Sequence, residues 1–342
     1  MTPATWPRAE PETARLLRID PGRNTLSDAR VVDLPRLLRA GDLIVVNDAA
    51  TLPASLGGRT STGEPLEVRL VGSVPGGDFT AVLFGAGDWR LRTEDRPPPP
   101  PLRERERLTF GPDLMATLTS ISPLSARLVR LRFDQDGEAL WNALYRQGRP
   151  VQYSYIERPL ALAHVQTAYA SRPWSAELPS AGHPLTLGLL LRLRRSGVDL
   201  ATLTHAAGLS STGDPTLDAQ LPLPEPYEVP PETVEAVELA KARGRRVVAV
   251  GTTVVRALEG AAAVGAGRLD PGRGVTTLRI GAAHRPRVVD GLLTGIHEPG
   301  TSHFALLTAF APTELLERAY RHMEAAGYVG HEFGDSSLIL PD

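Results

Sequence analysis

The chain has 342 residues, 42% of them hydrophobic, and a formal net charge of −2. This length allows two domains or one large domain with an insertion, and the near-neutral charge does not by itself predict a nucleic-acid binder. The absence of cysteine excludes disulfides and thiolate metal sites. No apolar run reaches about 18 residues and the first residues do not resemble a signal peptide. We therefore expect a cytoplasmic protein without a membrane span.

The first 135 residues change in pattern near residue 57. Residues 1–30 look like an extended lead-in, 34–39 like a short helix, and 43–46 like a buried strand. Between 57 and 135, short apolar–polar alternations are separated by turn residues, as in PLEVRLVG, DFTAVLFG, ERLTF, MATLTSI and ARLVRLRF. This period-two pattern is typical of a small barrel or sandwich.

Helices and strands alternate in the rest of the chain. Helical periodicity and boundary residues predict helices at 137–148, 185–197, 230–244, 302–310 and 312–327. Apolar runs predict strands at 198–208, 246–250, 275–281, 287–295 and 331–340. The sequence therefore predicts an α/β fold, with a mixed-sheet main domain (1–56 and 136–342) and an inserted small β-barrel-like domain (57–135).

Residues 246–260 read RVVAVGTTVVRALEG, a strand that leads directly into a helix. Gly251 permits a tight turn, and the helix then begins with free backbone N–H groups and a positive dipole end. The hydroxyls of Thr252 and Thr253 either cap this helix or bind a carboxylate or ribose. Arg256 shares their helix face, and is either a carboxylate clamp or a solvated residue.

Several common motifs are absent. The segment VLFGAGDW lacks the third glycine of a dinucleotide fingerprint, and there is no phosphate-binding GxxxxGK and no GxSxG nucleophile elbow. The histidines of HEPGTSH, His297 and His303, lack the spacing of a zinc-binding helix. We therefore predict no metal site.

A series of motifs resembles the S-adenosylmethionine:tRNA ribosyltransferase-isomerase family of the queuosine pathway. They are GDLIVVNDAATLPASLGGR, ELPSAGHPLTLGLLLRLRRSG, KARGRRVVAVGTTVVRALEG, VVDGLLTGIHEPGTSHFALLTAF and FGDSSLI, in the family's order and spanning roughly 34–340. The resemblance implies transfer and isomerisation of the ribosyl part of S-adenosylmethionine onto a 7-aminomethyl-7-deazaguanine base of tRNA. S-adenosylmethionine would then be a co-substrate, with no permanent cofactor and no metal.

The departures from the family pattern concern the acceptor side. Two arginines that the family usually has within the stretch 47–55 are absent, and His183 and His205 are displaced by one position. An alternative function is therefore open: a divergent member that acts on a small-molecule acceptor, or cleaves S-adenosylmethionine itself, with tRNA recognition lost. We expect a monomer or weak dimer.

The resemblance assigns candidate roles, each with a structural alternative. The candidates for binding S-adenosylmethionine are Gly251, Thr252, Thr253, Arg256, Pro179, Ala181 and Gly182. The candidates for catalysis are His297, His183, His205 and Glu177; a histidine satisfied in the core and a surface Glu177 are the alternatives. The candidates for substrate binding are Asn47, Tyr155 and Asp335, although Tyr155 could instead fill the core and Asp335 could cap a turn.

Overall fold

The computed structural model describes residues 1–74 and 76–342. The strands are β1 (Arg15–Asp20), β2 (Thr25–Arg30), β3 (Leu43–Asn47), β4 (Ala49–Thr51), β5 (Ser55–Arg59), β6 (Pro65–Ser73), β7 (Phe79–Phe84), β8 (Arg107–Thr109), β9 (Met115–Ser122), β10 (Ser125–Phe133), β11 (Arg172–Ser175), β12 (Asp199–His205), β13 (Glu225–Val229), β14 (Val247–Val250), β15 (Gly272–Thr276), β16 (Gly291–Gly295) and β17 (Ser336–Ile339). The helices are α1 (Leu34–Leu37), α2 (Gly137–Gln147), α3 (Leu187–Arg195), α4 (Pro215–Asp218), α5 (Pro231–Ala242), α6 (Thr252–Val264), α7 (Ser302–Leu307) and α8 (Thr313–Ala325). The predicted α/β fold with a mixed sheet and a barrel is confirmed.

The main sheet has nine strands in the order β15-β13-β12-β3-β14-β16-β17-β1-β2. Four neighbours at its centre, β12, β3, β14 and β16, run parallel to one another. The carboxyl ends of these four strands therefore lie along one edge of the sheet, which is the usual position of ligands in open α/β sheets. We call this edge the carboxyl edge.

Helices cover both faces of the sheet, which explains why its central strands are continuous apolar runs. Alternate residues of β3 point to opposite faces: Val45 packs into the core beneath α5, α6, α7 and α8, whereas Ile44 and Val46 pack into the core beneath α3. Val247 and Val248 of β14 divide in the same way. A one-residue slip in register would turn each side chain of the slipped strand to the opposite face of the sheet. Because both faces are buried, residues that fit one core would then have to pack in the other.

The barrel is closed by six antiparallel strands in the order β10-β7-β6-β5-β8-β9. The five runs quoted above correspond to β6 through β10, whereas β5 was not predicted as a strand of its own. Its Gly57-Gly58 pair gives no alternating signal, but Gly58 is needed because a Cβ there would lie 2.6 Å from the ring of Phe110. The division into domains 1–56 with 136–342, and 57–135, stays a prediction.

The first 30 residues and two predicted strands differ from expectation. Instead of a lead-in, β1 and β2 form a hairpin at the edge of the main sheet. The strand predicted at 275–281 ends at Thr276, whose hydroxyl accepts the N–H of Leu278 and turns the chain away. The strand predicted at 287–295 begins at Gly291, because the N–H groups of Val288 and Val289 bond to the carboxylate of Glu259 instead of a neighbouring strand.

Asp335 joins the amino-terminal segment to the end of the chain. Its Oδ1 accepts the backbone N–H of Arg15 at 2.8 Å and Nη2 of Arg8 at 2.6 Å, and its Oδ2 accepts the N–H of Val329 at 2.9 Å. The carboxylate is buried. Since both oxygens are occupied by the chain itself, this geometry favours the capping role of Asp335 over substrate binding.

Replacing Asp335 by alanine should lower the free energy of unfolding by about 3 kcal/mol, because two part-buried backbone N–H groups and one arginine lose a buried acceptor. Urea denaturation measures this change. The matched control is Asp270→Ala, which removes only a surface pair with Arg268 and should change the free energy by less than about 1 kcal/mol. If Asp335→Ala is as stable as the wild type but has a raised KM for substrate, Asp335 binds substrate instead.

Candidate functional site

Candidate residues from four separate segments meet at the carboxyl edge. Asn47 is the last residue of β3 and His205 the last of β12, while Gly251 directly follows β14. His297 lies two residues beyond the end of β16. Parallel neighbours therefore place side chains that are up to 250 positions apart into one row.

The turn after β14 leaves the start of α6 without a side-chain cap. Gly251 occupies the cap position with a φ of +93°, a conformation that glycine adopts without strain. Because it has no side chain, it cannot accept a hydrogen bond from the N–H groups of the helix. Thr252 is 9% exposed, and the Oγ1 of Thr253 lies 3.4 Å from Nδ2 of Asn47. Neither threonine therefore occupies the cap position of α6, and no side chain there accepts the N–H groups of the first turn. This geometry disfavours the alternative in which the two hydroxyls only cap the helix.

Asn47 fixes the spacing between β3 and β12. Its Nδ2 donates to the carbonyl oxygen of His205 at 2.9 Å, and its Oδ1 accepts the N–H of His205 at 2.9 Å and of Ala49 at 3.1 Å. The side chain is buried and its amide is used at both ends. Asn47 therefore shapes the carboxyl edge through the backbone that it holds.

Arg256 is neither a solvated helix residue nor a free clamp. It is 6% exposed, its Nη1 bonds to the carboxylate of Glu225 on β13, and its Nε donates to the carbonyl oxygen of Leu278 at 3.2 Å. Burial, with the nearby Arg279, lowers its pKa to about 10, so the guanidinium stays protonated at neutral pH. Its buried Nη2 has no hydrogen-bond partner within residues 1–74 and 76–342.

The two histidines of this edge are neutral at physiological pH. His205 is fully buried, and burial, assisted by the charge of Arg256, lowers its pKa to about 3. Burial and the adjacent His303 also lower the pKa of His297 below that of an ordinary imidazole. The His297 and His303 rings are stacked with centroids 5.0 Å apart, and Nε2 of His297 lies 2.8 Å from Oγ1 of Thr294.

The segment from Pro179 to His183 packs beside this row. A Cβ on Gly251 would lie 3.4 Å from the Cβ of Ala181, so the two turns are in contact. Gly182 lies against Tyr169, and a Cβ there would sit 1.9 Å from the phenol oxygen. His183 points elsewhere: its ring meets that of Phe333 edge-on at 5.4 Å, and burial lowers its pKa.

The candidate Glu177 lines a small cavity of about 20 Å³ together with Tyr153, Glu332 and Phe333, and Tyr155 contacts this cavity through Glu332. Glu177 accepts the phenol O–H of Tyr153 and the N–H of Ser210, the latter at 3.0 Å. Tyr155 in turn donates its O–H to Glu332. Burial raises the pKa of both carboxyl groups, so the cavity holds two acids that resist ionisation.

Stacked side chains lead from this cavity into the barrel. The Tyr153 and Tyr155 rings stack at 6.0 Å, and the guanidinium of Arg69 lies between the rings of Tyr153, at 5.5 Å, and Phe84, at 4.6 Å. Arg69 is itself paired with Glu67 inside the barrel. The barrel interior is therefore in direct contact with the wall of the cavity.

Three residues of these clusters were missed by sequence reasoning: Glu225, Tyr153 and Glu332. Glu225 occupies an inward position of β13, and an acid in such an alternating run is an unexplained buried charge that could have marked it. Tyr153 and Glu332 follow no periodic pattern, so the sequence carried no comparable signal for them.

The described part of the chain offers neither a metal cluster nor a membrane-spanning helix. Within residues 1–74 and 76–342, no group of three or more histidine, aspartate or glutamate residues is arranged to hold a metal ion. In the same residues no helix is both long and apolar enough to cross a membrane.

Known proteins resemble the chain over nearly its full length. A protein named S-adenosylmethionine:tRNA ribosyltransferase-isomerase from Thermus thermophilus is 39% identical over 319 residues, which are 91% of this chain and 88% of that protein. One of the same name from Methylobacterium is 35% identical over 96% of this chain and 92% of its own. The crystal structure of an S-adenosylmethionine tRNA ribosyltransferase from Thermotoga maritima matches the fold with a TM-score of 0.53, at 23% identity, over 99% of this chain and 96% of that one.

The sequence profile of one family accounts for these similarities. The profile described as queuosine biosynthesis protein matches residues 2–339, and this span includes every strand and helix of both the main sheet and the barrel. The chain belongs to the queuosine biosynthesis protein family.

Proposed function

We propose that the protein is an S-adenosylmethionine-dependent transferase and isomerase. It transfers the ribosyl part of S-adenosylmethionine to the 7-aminomethyl-7-deazaguanine base of a tRNA and isomerises it, which forms epoxyqueuosine. The observation that carries this proposal is the 39% identity to a protein of that name over 91% of the chain. The comparisons support this function and not the alternative of a small-molecule acceptor or simple cleavage of S-adenosylmethionine.

S-adenosylmethionine binds at the carboxyl edge in this proposal. The uncapped first turn of α6 offers backbone N–H groups to the methionine carboxylate, with Thr252 and Thr253 beside it. The neighbouring turn of Pro179, Ala181 and Gly182 forms an adjoining wall, since Ala181 contacts Gly251. Glycine stands at the two turns for different reasons: Gly251 adopts a φ of +93°, and a Cβ on Gly182 would collide with Tyr169.

His297 supplies the base in this proposal. The sulfonium acidifies the 5′ carbon of the ribosyl group, and a neutral imidazole can accept the proton that leaves it. The ylide then opens the ribose ring with loss of adenine, the exocyclic amine of the acceptor attacks, and methionine leaves as the epoxide forms. With Nε2 facing Thr294, Nδ1 is the nitrogen left for the substrate.

In this proposal the acceptor base binds beside the cavity that Glu177 and Glu332 line, because its volume of about 20 Å³ is too small to hold the base itself. Tyr155 already stacks on Tyr153 at 6.0 Å and lies 4.3 Å from the ring of His331, so one of these rings must move aside before a base can stack on it. Burial raises the pKa of Glu177, which suits its carboxylate to accept the proton that the aminomethyl group must lose before its amine attacks. Glu177 must exchange its bonds to Tyr153 and Ser210 to do so, since both its oxygens are occupied. His183 contacts Phe333 at the rim of the same cavity. A cytoplasmic location and a monomeric or weakly dimeric state remain predictions.

Incubation with S-adenosylmethionine should release adenine and methionine only when tRNA bearing the 7-aminomethyl-7-deazaguanine base is present, as mass spectrometry of the small molecules and of the digested tRNA will measure. The control is the same tRNA with an unmodified guanine. Release of adenine and methionine without any RNA would instead support the alternative function. A chain that does not bind S-adenosylmethionine in calorimetry would contradict both.

Replacing His297 by alanine should lower kcat by about 10²- to 10⁴-fold, the usual contribution of a general base. In the wild type, the acid limb of kcat/KM should lie below pH 6.5, the ordinary imidazole value, because the lowered pKa keeps His297 neutral as the pH falls. The pH dependence of adenine release measures this limb. His322→Ala, which removes a histidine paired with Asp28 far from the edge, is the control. A limb at or above 6.5 that is unchanged in His297→Ala contradicts the assignment.

A further inference from the structure

One carboxylate contacts both halves of the candidate site. Glu225, the first residue of β13, bonds to Arg256 through Oε2 and accepts the N–H of Gly208 through Oε1 at 2.9 Å. Gly208 belongs to the segment between β12 and α4, residues 206–214, which we call the linking loop. We propose that Glu225 is a positioning residue that sets both Arg256 and the linking loop for the reaction; this inference rests on the proposed function.

On the S-adenosylmethionine side, Glu225 decides what Arg256 can bind. The guanidinium is fixed by Glu225 through Nη1 and by the carbonyl of Leu278 through Nε, whereas its Nη2 is buried and has no hydrogen-bond partner within residues 1–74 and 76–342. Because Glu225 already balances the charge of Arg256, this donor suits a neutral oxygen better than a second carboxylate. The ribose hydroxyls of S-adenosylmethionine belong to that class.

Within residues 1–74 and 76–342, Arg256 is the one permanently charged cation that pairs with Glu225. His205 is the other ionisable group nearby, with Nε2 3.3 Å from Oε2 of Glu225. Its pKa of about 3 leaves it uncharged, and neither ring nitrogen makes a hydrogen bond within the described chain. The orientation of Arg256 therefore depends on Glu225 and not on the histidine.

On the acceptor side, the linking loop carries the effect of Glu225 to the cavity and to the barrel. Two residues beyond Gly208, the N–H of Ser210 donates to Glu177 at 3.0 Å. Between them, Leu209 is buried in the hydrophobic core of the barrel. At the far end of the loop, Asp214 accepts a hydrogen bond from Ser125 of β10. A shift of Gly208 would therefore move both the Glu177 contact and the barrel relative to the sheet.

The test compares Glu225→Gln with Arg256→Gln in the full chain. Loss of a charged hydrogen-bond partner should raise the Kd for S-adenosylmethionine about tenfold or more in each variant. In the double variant the Kd should equal that of Arg256→Gln alone, because Glu225 acts through Arg256. Calorimetry gives the Kd, and Glu228→Gln is the matched control: it removes a carboxylate from the opposite face of β13 that pairs with Arg172 and Arg273 and should leave the Kd unchanged.

Steady-state kinetics test the loop. Glu225→Gln should raise the KM for tRNA as well as for S-adenosylmethionine, whereas Arg256→Gln should raise only the latter. A purely structural Glu225 would lower the melting temperature with both constants at wild-type values, and this result overturns the inference. The inference is also overturned if the fold-increases in Kd for S-adenosylmethionine of the two single variants multiply in the double variant.

The same measurements separate this inference from the proposed function. If wild-type protein does not bind S-adenosylmethionine, the proposed function fails; if it binds and Glu225→Gln binds equally well, only the role of Glu225 fails. If Glu225→Gln does not fold, Glu225→Asp takes its place, because aspartate keeps the charge but reaches less far toward Gly208. The KM for tRNA is measured for this variant as well, and a wild-type value overturns the role of the linking loop.

Discussion

The common end of four parallel strands is the constraint on which the candidate site depends. Because β12, β3, β14 and β16 are in parallel register, Asn47, His205, Gly251 and His297 come together although no two of them are neighbours in sequence. The register is held on both faces by separate cores, and across the edge by the amide of Asn47. Loops with little regular structure can then be placed accurately, since each starts from a fixed strand end.

Local patterns were sufficient to predict most of this framework. Buried strands such as β3 and β14 are short apolar runs, and α5 carries proline at its start and glycine after its end, so pattern and boundary agree. The strand–turn–helix around Gly251 was predicted from the same rules. Two of the mistakes occur where a side chain takes over backbone bonding, as Glu259 does before β16 and Thr276 does after β15. Such bonds join residues whose proximity only the folded chain determines.

The contacts of the site were harder to predict than its position. The sequence places Arg256 on the same helix face as Thr252, but its partner Glu225 lies 31 positions away, on strand β13. The pairing of Tyr153 with Glu177 likewise requires the barrel to be folded against the sheet. Sequence periodicity reports which face of an element is buried, and it does not report which polar groups meet there.

The pairing of Arg256 with Glu225 changes the electrostatic character of the carboxyl edge. A sulfonium is a cation, and a free arginine beside it in a poorly solvated site would oppose its binding. Here the arginine is balanced by Glu225, and both His205 and His297 are held neutral by burial. The first turn of α6 adds a positive potential that arises from partial charges, and the methionine carboxylate of the proposed ligand would neutralise it. In the proposed binding mode, the edge would therefore accept a zwitterionic methionine group and a sulfonium together, while the neutral imidazole of His297 would accept the proton.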